Sequence, residues 1–219
     1  MDWKTIFMNI SIDSVITYTW NKHEIIIPRD HVERLLWGEL IKLHREKWFD
    51  NVIVLNGPGG FTNLRVGTLC LNILNTLLEN QLDFYDISKI DLYKKAYEKW
   101  YLPKYWVMYI WQKRNIRLRD FEKNEKIWQY SFNELKDLGI MEDIDNVFIE
   151  DVEDENYYPN WMDEHLKYHI LLNWTDIYLI DKKAAEWTWI SIDEFCLKPL
   201  KSVVPNYMMD PSVTINKKY

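Results

Sequence analysis

The amino-acid sequence predicts an α/β protein with two lobes. Apolar runs at Thr5 to Ile12, Val15 to Thr19 and Glu24 to Ile27 indicate a meander of three strands. Beyond Pro28, segments with helical periodicity alternate with short strand-like segments. Early strands followed by such an alternation are typical of a sheet that is covered by helices.

A second group of strand-like runs begins after Pro103, which we take as the boundary between the lobes. The sequence therefore predicts an N-terminal lobe at residues 1–102 and a smaller C-terminal lobe at residues 103–219. For the last residues of the chain two alternatives stay open, a return to the first lobe and a mobile tail.

Two long helices are predicted in the first lobe. Asp30, with Glu33 three residues later, matches a capping box, and apolar residues then recur at helical spacing to Lys47. The other elements predicted for this lobe are a strand at Asn51 to Leu55, a helix at Phe61 to Glu79, a strand at Phe84 to Ser88 and a helix at Lys89 to Lys99.

The second lobe has weaker periodicity. Its predicted strands are Tyr105 to Gln112, Ile116 to Phe121 and Val147 to Glu150, with Ile177 to Ile180 or Trp187 to Ile192 as further candidates. Its predicted helices are Phe132 to Leu138 and Asp163 to Trp174.

The charge of the chain argues against direct binding of nucleic acid. Its 27 Lys and Arg stand against 34 Asp and Glu, a net charge of −7, whereas affinity for a phosphate backbone comes from Lys and Arg. The two cysteines, Cys70 and Cys196, supply no disulfide framework. No apolar run approaches the roughly 18 residues of a membrane span. We expect a reduced, cytoplasmic protein without a membrane partner.

The most informative stretch is a glycine-rich turn between a strand and a helix. Four of the six glycines, Gly57, Gly59, Gly60 and Gly67, lie in it, so the backbone turns sharply there or is closely approached. One interpretation is a plain strand-to-helix turn with Thr62 as the helix N-cap. The other is an anion or partner site at a helix N-terminus. The run lacks the Gly-Lys-Ser/Thr of a Walker A loop.

This turn carries a family resemblance. The run Gly57-Pro58-Gly59-Gly60-Phe61-Thr62-Asn63-Leu64-Arg65-Val66-Gly67 resembles the Gly-Pro-Gly-Ser-Phe-Thr-Gly-Leu-Arg-Ile-Gly motif of the TsaB (YeaZ) family. Weaker similarities, in the same order as in the family, are Arg29-Asp30-His31 and Pro205-Asn206-Tyr207-Met208. TsaB proteins are the non-catalytic subunit of the bacterial machinery that makes threonylcarbamoyladenosine in tRNA.

The resemblance implies an actin-like, RNase H-like fold in each lobe. It also implies pairing with a TsaD-like catalytic subunit, with a TsaE-like ATPase in the complex and with tRNA held only through the complex. Pairing with a second copy as a two-fold dimer is the alternative when that subunit is absent. No cofactor and no catalytic residue are expected in this chain.

The resemblance further implies which residues form the site. The glycine loop consists of Gly57, Pro58, Gly59, Gly60, Phe61, Thr62, Arg65 and Gly67. The expected partner interface lies on the two long helices, at Val32, Leu36, Leu40, Leu64, Thr68, Leu71 and Leu74. An exposed apolar stripe with a polar rim would mark such a face. Arg65 would either tie down the loop locally or pair with a carboxylate or phosphate of the partner.

A function of another class is the alternative, an actin-like ATPase or sugar-kinase-type phosphotransferase that uses the Gly57 to Gly60 loop for phosphate. Asn9 weakens it, because related ATPases carry an acidic residue there and an amide cannot hold Mg²⁺ as a carboxylate does. His165 and His169 are spaced to share a helix face but have no evident third ligand, so we expect no metal site.

Tryptophan is abundant in this chain and glycine is scarce, with 12 Trp and 6 Gly. Trp20, Trp48, Trp106 and Trp111 stand where a turn or the family pattern favours glycine. Genuine tryptophan enrichment is one explanation. The other is that these codons are UGA and that the organism reads UGA as glycine. In that case, bulky side chains are expected at turn positions with strain wherever φ is positive.

Overall fold

The computed structural model of the protein describes residues 4–12, 14–19, 24–110, 115–123, 127–130, 137, 139, 147–150, 171–172 and 197–207. Two compact units form, one from residues 1–92 with 181–219 and the other from residues 93–180. The sequence placed the division at residue 102, beyond the third helix, whereas this division falls inside that helix.

The first unit is built on a five-stranded sheet. In chain order its elements are β1 (Thr5–Asn9), β2 (Ser14–Thr19), β3 (Glu24–Pro28), α1 (Arg29–Lys47), β4 (Asn51–Leu55), α2 (Phe61–Leu77) and β5 (Asp83–Ile87), followed by α3 (Lys89–Glu98), which runs into the second unit. The strand order is β3-β2-β1-β4-β5. Strand β2 is antiparallel to β1 and β3, while β1, β4 and β5 are parallel.

Helices α1 and α2 cover one face of this sheet. Alternate residues of the strands point to that face, as the twofold period of a strand requires. The buried cluster joins Ile6, Met8, Val52, Val54 and Phe84 of the strands to apolar residues of both helices. The helices therefore owe their position to one shared core.

The start of α1 differs from the prediction. The residue before the first helical turn is Pro28, and no side chain caps the helix, so Asp30 lies inside the first turn and is not the N-cap. A proline at the N-cap has no N–H to satisfy, and its φ of −58° is compatible with entry into a helix. The carboxylate of Asp30 still lies where the helix dipole favours negative charge.

The second unit contains a sheet with the same order of connections. Its strands are β6 (Tyr105–Ile110), β7 (Asn115–Asp120), β8 (Ile127–Tyr130), β9 (Val147–Glu150) and β10 (Leu171–Leu172), arranged as β10-β9-β6-β7-β8. Strand β7 is antiparallel to β6 and β8, while β6, β9 and β10 are parallel. Read from the opposite edge, the strands stand in the sequence third, second, first, fourth, fifth, as in the first sheet.

That order, with the second strand antiparallel to the other four, is the RNase H-like topology, and it occurs once in each unit. The prediction of an α/β, actin-like fold is confirmed. One strand, β8, was missed, and one prediction was wrong, because Leu171–Leu172 form a strand where a helix was expected. The candidate strands at 177–180 and 187–192 lie outside the described residues. The predicted helix at 132–138 lies almost wholly outside the described residues.

Candidate functional site

The glycine loop lies at the carboxyl edge of the first sheet. Strand β4 ends at Leu55, Asn56 follows, and Gly57 to Gly60 lead into α2. The N-cap of α2 is Gly60, with no side-chain cap, so the prediction of Thr62 as N-cap was wrong. The carbonyl of Gly60 accepts the first helical hydrogen bond, from the Leu64 N–H at 3.1 Å.

The loop glycines make room for the protein's own backbone. Gly57 has a φ of +68°, and a Cβ built on it would lie 1.8 Å from the carbonyl oxygen of Asn206. A Cβ on Gly59 would lie 1.7 Å from the carbonyl oxygen of Ser11. Both positions therefore exclude any side chain. Gly67 likewise admits the side chain of Ile10, whose Cγ2 would be 2.6 Å from an added Cβ.

The segment that reaches Gly57 is the C-terminal strap, which we define as residues 197–207. It begins beside β5, where the N–H and C=O of Leu200 both bond to Phe84 at 2.9 Å. Lys201 forms an ion pair with Asp83 at 2.7 Å. The strap thus adds a short antiparallel pairing to the edge of the sheet before it continues to the glycine loop.

Three asparagine side chains hold the strap by its backbone. Asn75 donates to the Lys201 carbonyl at 2.8 Å, and Asn72 both donates to and accepts from the backbone of Val203 at 2.9 and 2.8 Å. Asn56, which is fully buried, donates to the Val204 carbonyl at 2.7 Å. An amide has donors and an acceptor on one planar group, so it satisfies a peptide unit as a strand neighbour does.

Other polar side chains gather at the same sheet edge because β1, β4 and β5 are parallel. Asn9, at the end of β1, is buried, and its Oδ1 accepts from the N–H and the hydroxyl of Ser11 at 2.8 and 2.7 Å. Lys89 is buried at the start of α3, with its Nζ 3.5 Å from the Ser11 carbonyl and its N–H bonded to the Gly57 carbonyl.

Asp86 on β5 is the carboxylate of this edge. Burial raises its pKa, and the hydrogen bond that Asn56 Nδ2 donates at 3.3 Å partly offsets that increase. Its Oδ1 is buried without a hydrogen-bond partner among the described residues. Desolvation disfavours the charged form of a carboxyl group, so the edge resists a negative charge at this position.

The predicted partner interface is not on the surface. Every one of its members is buried: Val32, Leu36, Leu40, Leu64, Thr68, Leu71 and Leu74. All but Thr68 belong to the core cluster between the helices and the sheet, and the Thr68 hydroxyl bonds to the Leu64 carbonyl at 2.7 Å. These residues stabilise the first unit and are not available to another chain, so that assignment is corrected.

The outer face of α2 is apolar instead. We define the outer stripe as Phe61, Arg65, Leu69, Ile73 and Leu77, which follow one another at intervals of four residues. Leu69 is 58% exposed, Ile73 42% and Leu77 66%. Residues four apart lie on one side of a helix, so the stripe is continuous. The sequence contained the signal, since α2 carries apolar residues on two sides, as a buried helix does.

The glycine loop and the outer stripe meet at Phe61. Its ring stacks on Tyr207 of the strap, with centroids 4.9 Å apart, and the guanidinium carbon of Arg65 lies 5.2 Å from its centroid. Arg65 is exposed and makes a local cation–π contact, which agrees with the interpretation that it ties down the loop. Its role toward a partner stays a prediction.

Within the parts of the chain that the structure describes, no three His, Cys, Asp or Glu side chains gather where they could hold a metal ion. His165 and His169 lie outside those parts. Among the described helices none is long and apolar enough to cross a membrane.

The two sheets define the class, an α/β protein with RNase H-like topology in each of two units. No protein-family model matches the chain, and no curated protein matches it. Solved structures are similar to it. YeaZ from Pseudomonas aeruginosa is 18% identical over 58% of this chain and 64% of that one, with a TM-score of 0.38.

Two further structures are similar. A protein described as similar to the peptidase YeaZ from Pseudomonas aeruginosa is 18% identical over 58% of this chain and 63% of that one, with a TM-score of 0.37. A Bacteroides thetaiotaomicron protein with an actin-like ATPase fold and unknown function is 11% identical over 81% of this chain and 95% of that one, with a TM-score of 0.38. The chain thus matches less than two thirds of the two YeaZ-like structures, and we assign the fold from its own strand order.

Proposed function

We propose that this chain is a TsaB (YeaZ)-type scaffold subunit, without catalytic activity of its own, in the complex that forms threonylcarbamoyladenosine in tRNA. In this proposal it pairs with a TsaD-like catalytic subunit, and a TsaE-like ATPase and tRNA join through the complex. The observation that carries the proposal is the exposed outer stripe of α2, which starts in the loop whose sequence resembles the TsaB motif.

The outer stripe has the chemistry of a docking surface. Leu69, Ile73 and Leu77 expose apolar side chains in one row. Removing apolar surface from water is favourable by about 25 cal/mol per Å². Arg65 precedes these three residues within the stripe, and the polar residues Asn72 and Thr76 flank them on the same helix. Contiguous exposed apolar surface with a polar rim is typical of a protein interface. The stripe replaces the buried residues that the sequence indicated.

The glycine loop itself argues against a phosphotransferase. The carbonyl oxygens of Ser11 and Asn206 take up the space beside Gly59 and Gly57. Carbonyl oxygens carry partial negative charge and repel phosphate, whereas phosphate loops present N–H groups. The side-chain oxygen of Asn9 already accepts two hydrogen bonds from Ser11. These contacts support a structural role for the loop, which fixes the start of α2.

The test is association with the TsaD-like protein of the same genome, measured by light scattering and calorimetry. Leu69→Lys and Ile73→Lys put a charge in the outer stripe, and we expect each to weaken the complex at least about tenfold, which corresponds to roughly 1.4 kcal/mol. Ile26→Lys on β3 is the matched control, because Ile26 is 43% exposed and Ile73 is 42% exposed.

A complex that all three variants weaken equally, or no association at tens of micromolar, would overturn the proposal. The same samples give the oligomeric state of the protein alone. A dimer that the two stripe variants dissociate would place self-pairing on that face.

The phosphotransferase is tested separately by calorimetry with Mg²⁺ and ATP. We expect no heat of binding at millimolar nucleotide, because the loop is closed by carbonyl oxygens. Micromolar binding, lost in a variant of the carboxyl edge such as Asp86→Ala but kept in Ile26→Lys, would favour the enzyme.

A further inference from the structure

Two tryptophans occupy backbone positions that favour glycine. Trp48 follows α1 with φ 50° and ψ 45°, and Trp100 follows α3 with φ 64°. In this left-handed region a Cβ crowds the following carbonyl, at a cost of roughly 1–2 kcal/mol for an L-residue. Glycine has no Cβ and is the usual residue there.

Both positions are helix C-termini with the hydrogen bonds of a glycine cap. The Trp48 N–H bonds to the His44 carbonyl at 2.8 Å. After α3, the Trp100 N–H bonds to the Tyr97 carbonyl and the Tyr101 N–H to the Ala96 carbonyl, both at 2.9 Å. The two hydrogen bonds after α3 form the complete Schellman motif, in which the left-handed residue is most often glycine.

The indole rings bury little apolar area that could offset this strain. Trp48 is 69% exposed and Trp100 is 90% exposed, so most of their apolar area stays in water. The ring of His44 lies beside that of Trp48 with centroids 6.3 Å apart. An exposed tryptophan at a left-handed cap therefore has two costs, the strained backbone and the apolar ring in water. No contact among the described residues offsets these two costs.

Trp106 provides the contrast. It lies inside β6, is fully buried and stacks on Phe148 and Phe121. The ring centroids of Trp106 and Tyr93 are 4.7 Å apart. The structure therefore separates a core tryptophan, although the family pattern indicated glycine there, from two surface tryptophans at glycine positions. Trp100 had not been singled out from the sequence. Trp20 and Trp111 lie outside the described residues.

We propose that the protein made in its own organism carries glycine at positions 48 and 100, because UGA codons at these positions are read there as glycine. The proposal is independent of the function proposed above. Other residues do adopt positive φ in this chain, at Glu79 and Asn80. Asparagine tolerates that region, and Glu79 keeps a charged side chain in water. The two tryptophans differ from both because they add an exposed apolar ring to the strained backbone.

The physical basis is tested on the full chain with Trp48→Gly and Trp100→Gly, each compared with the alanine variant at the same position. Alanine removes the ring but keeps the Cβ, so the glycine–alanine difference reports the strain of the left-handed backbone less the greater unfolded-chain entropy of glycine, without the ring. We expect each glycine variant to melt about 3 °C above its alanine partner. Alanine variants as stable as the glycine variants at both positions would overturn the proposal.

The identity of the residues is decided by peptide mass spectrometry of the protein isolated from its own organism. Glycine at positions 48 and 100, with UGA in the gene, is the expected result. Tryptophan at these positions, or UGG codons there, would overturn the proposal whatever the melting temperatures show. The peptide that contains Trp106 is the internal control and is expected to keep its tryptophan.

Discussion

The side chain of Asn56 and the backbone of Asn206 lock the glycine loop to the C-terminal strap. Asn56 Oδ1 accepts from the Asn206 N–H at 3.1 Å, and the carbonyl of Asn206 then lies where a Cβ on Gly57 would be, 1.8 Å from that position. Residues 150 positions apart in the chain thus determine each other's conformation. The strap therefore contributes to the stability of the loop.

Gly57→Ala is expected to destabilise the first unit strongly. Alanine at a φ of +68° is strained, and its Cβ collides with the carbonyl oxygen of Asn206, a residue whose N–H is held by the Asn56 side chain. We expect a loss of about 3 kcal/mol in the free energy of unfolding, measured in urea. Gly38→Ala is the control, since a Cβ there meets nothing within 4 Å and alanine in an exposed helix interior gains about 1 kcal/mol. Equal effects of the two substitutions would contradict the close approach at Gly57.

Asn72→Ala is expected to release the middle of the strap. Its side chain makes two hydrogen bonds to Val203, and Val203 is itself buried in the core cluster. Leaving these backbone groups unpaired costs about 1–3 kcal/mol, and the strap should become a site of limited proteolysis between residues 197 and 207. Thr76→Ala is the matched control one turn later on α2, because its hydroxyl donates within the helix, to the Asn72 carbonyl at 2.9 Å. Cleavage at the same rate in both variants would show that Asn72 does not retain the strap.

Much of the first sheet was predictable from the sequence because its signals are local. Strand β4 has the bounds that its apolar run predicts, and α1 and α2 end within a few residues of the periodic pattern. Helix starts were harder, since Pro28 and Gly60 serve as N-caps without a side-chain hydrogen bond. A return of the last residues to the first lobe was one of the alternatives that the sequence left open. The contacts of the strap were not predictable, because its asparagine partners lie more than 120 positions away in the chain.

The residues predicted for the partner face are buried for a physical reason. Helical periodicity identifies the face of a helix that is buried, and in α2 that face packs on the sheet of its own unit. In the proposed complex, the surface for another chain lies on the second apolar side, where Leu69, Ile73 and Leu77 are exposed. Periodicity alone does not show which of the two apolar sides of α2 packs on the sheet. That decision needs the position of the sheet in the structure.

Leu71→Ala and Leu69→Ala separate these two sides of α2 directly. Leu71 is fully buried, and its truncation leaves a cavity that should cost about 3 kcal/mol of stability. Leu69 is 58% exposed, and we expect a change within about 0.5 kcal/mol. Urea unfolding of the two variants measures the difference. A large loss for Leu69→Ala would mean that the outer stripe is part of the core and is not a docking surface.

Asp86 predicts how the stability of the first unit depends on pH. Burial raises the pKa of its carboxyl group above the ordinary value of 3.8, so the folded state binds the proton more tightly than the unfolded state. The tighter proton binding stabilises the folded state. This stabilisation is fully present below the pKa of the unfolded chain and is lost as pH rises through the pKa of the folded protein. Asp86→Asn removes the titration and keeps an oxygen that accepts from Asn56.

The amide variant should therefore be more stable than the parent at neutral pH, by a margin that shrinks to nothing as pH falls below about 4. Urea unfolding of both proteins between pH 3 and pH 8 measures this margin. Asp83→Asn on the same strand is the control, because Asp83 forms an ion pair with Lys201 at 2.7 Å, so the amide removes that contact and no gain in stability is expected. A margin for Asp86→Asn that does not change with pH would show that the carboxyl group ionises as freely in the folded protein as in the unfolded chain, and that its burial beside Asn56 carries no electrostatic cost.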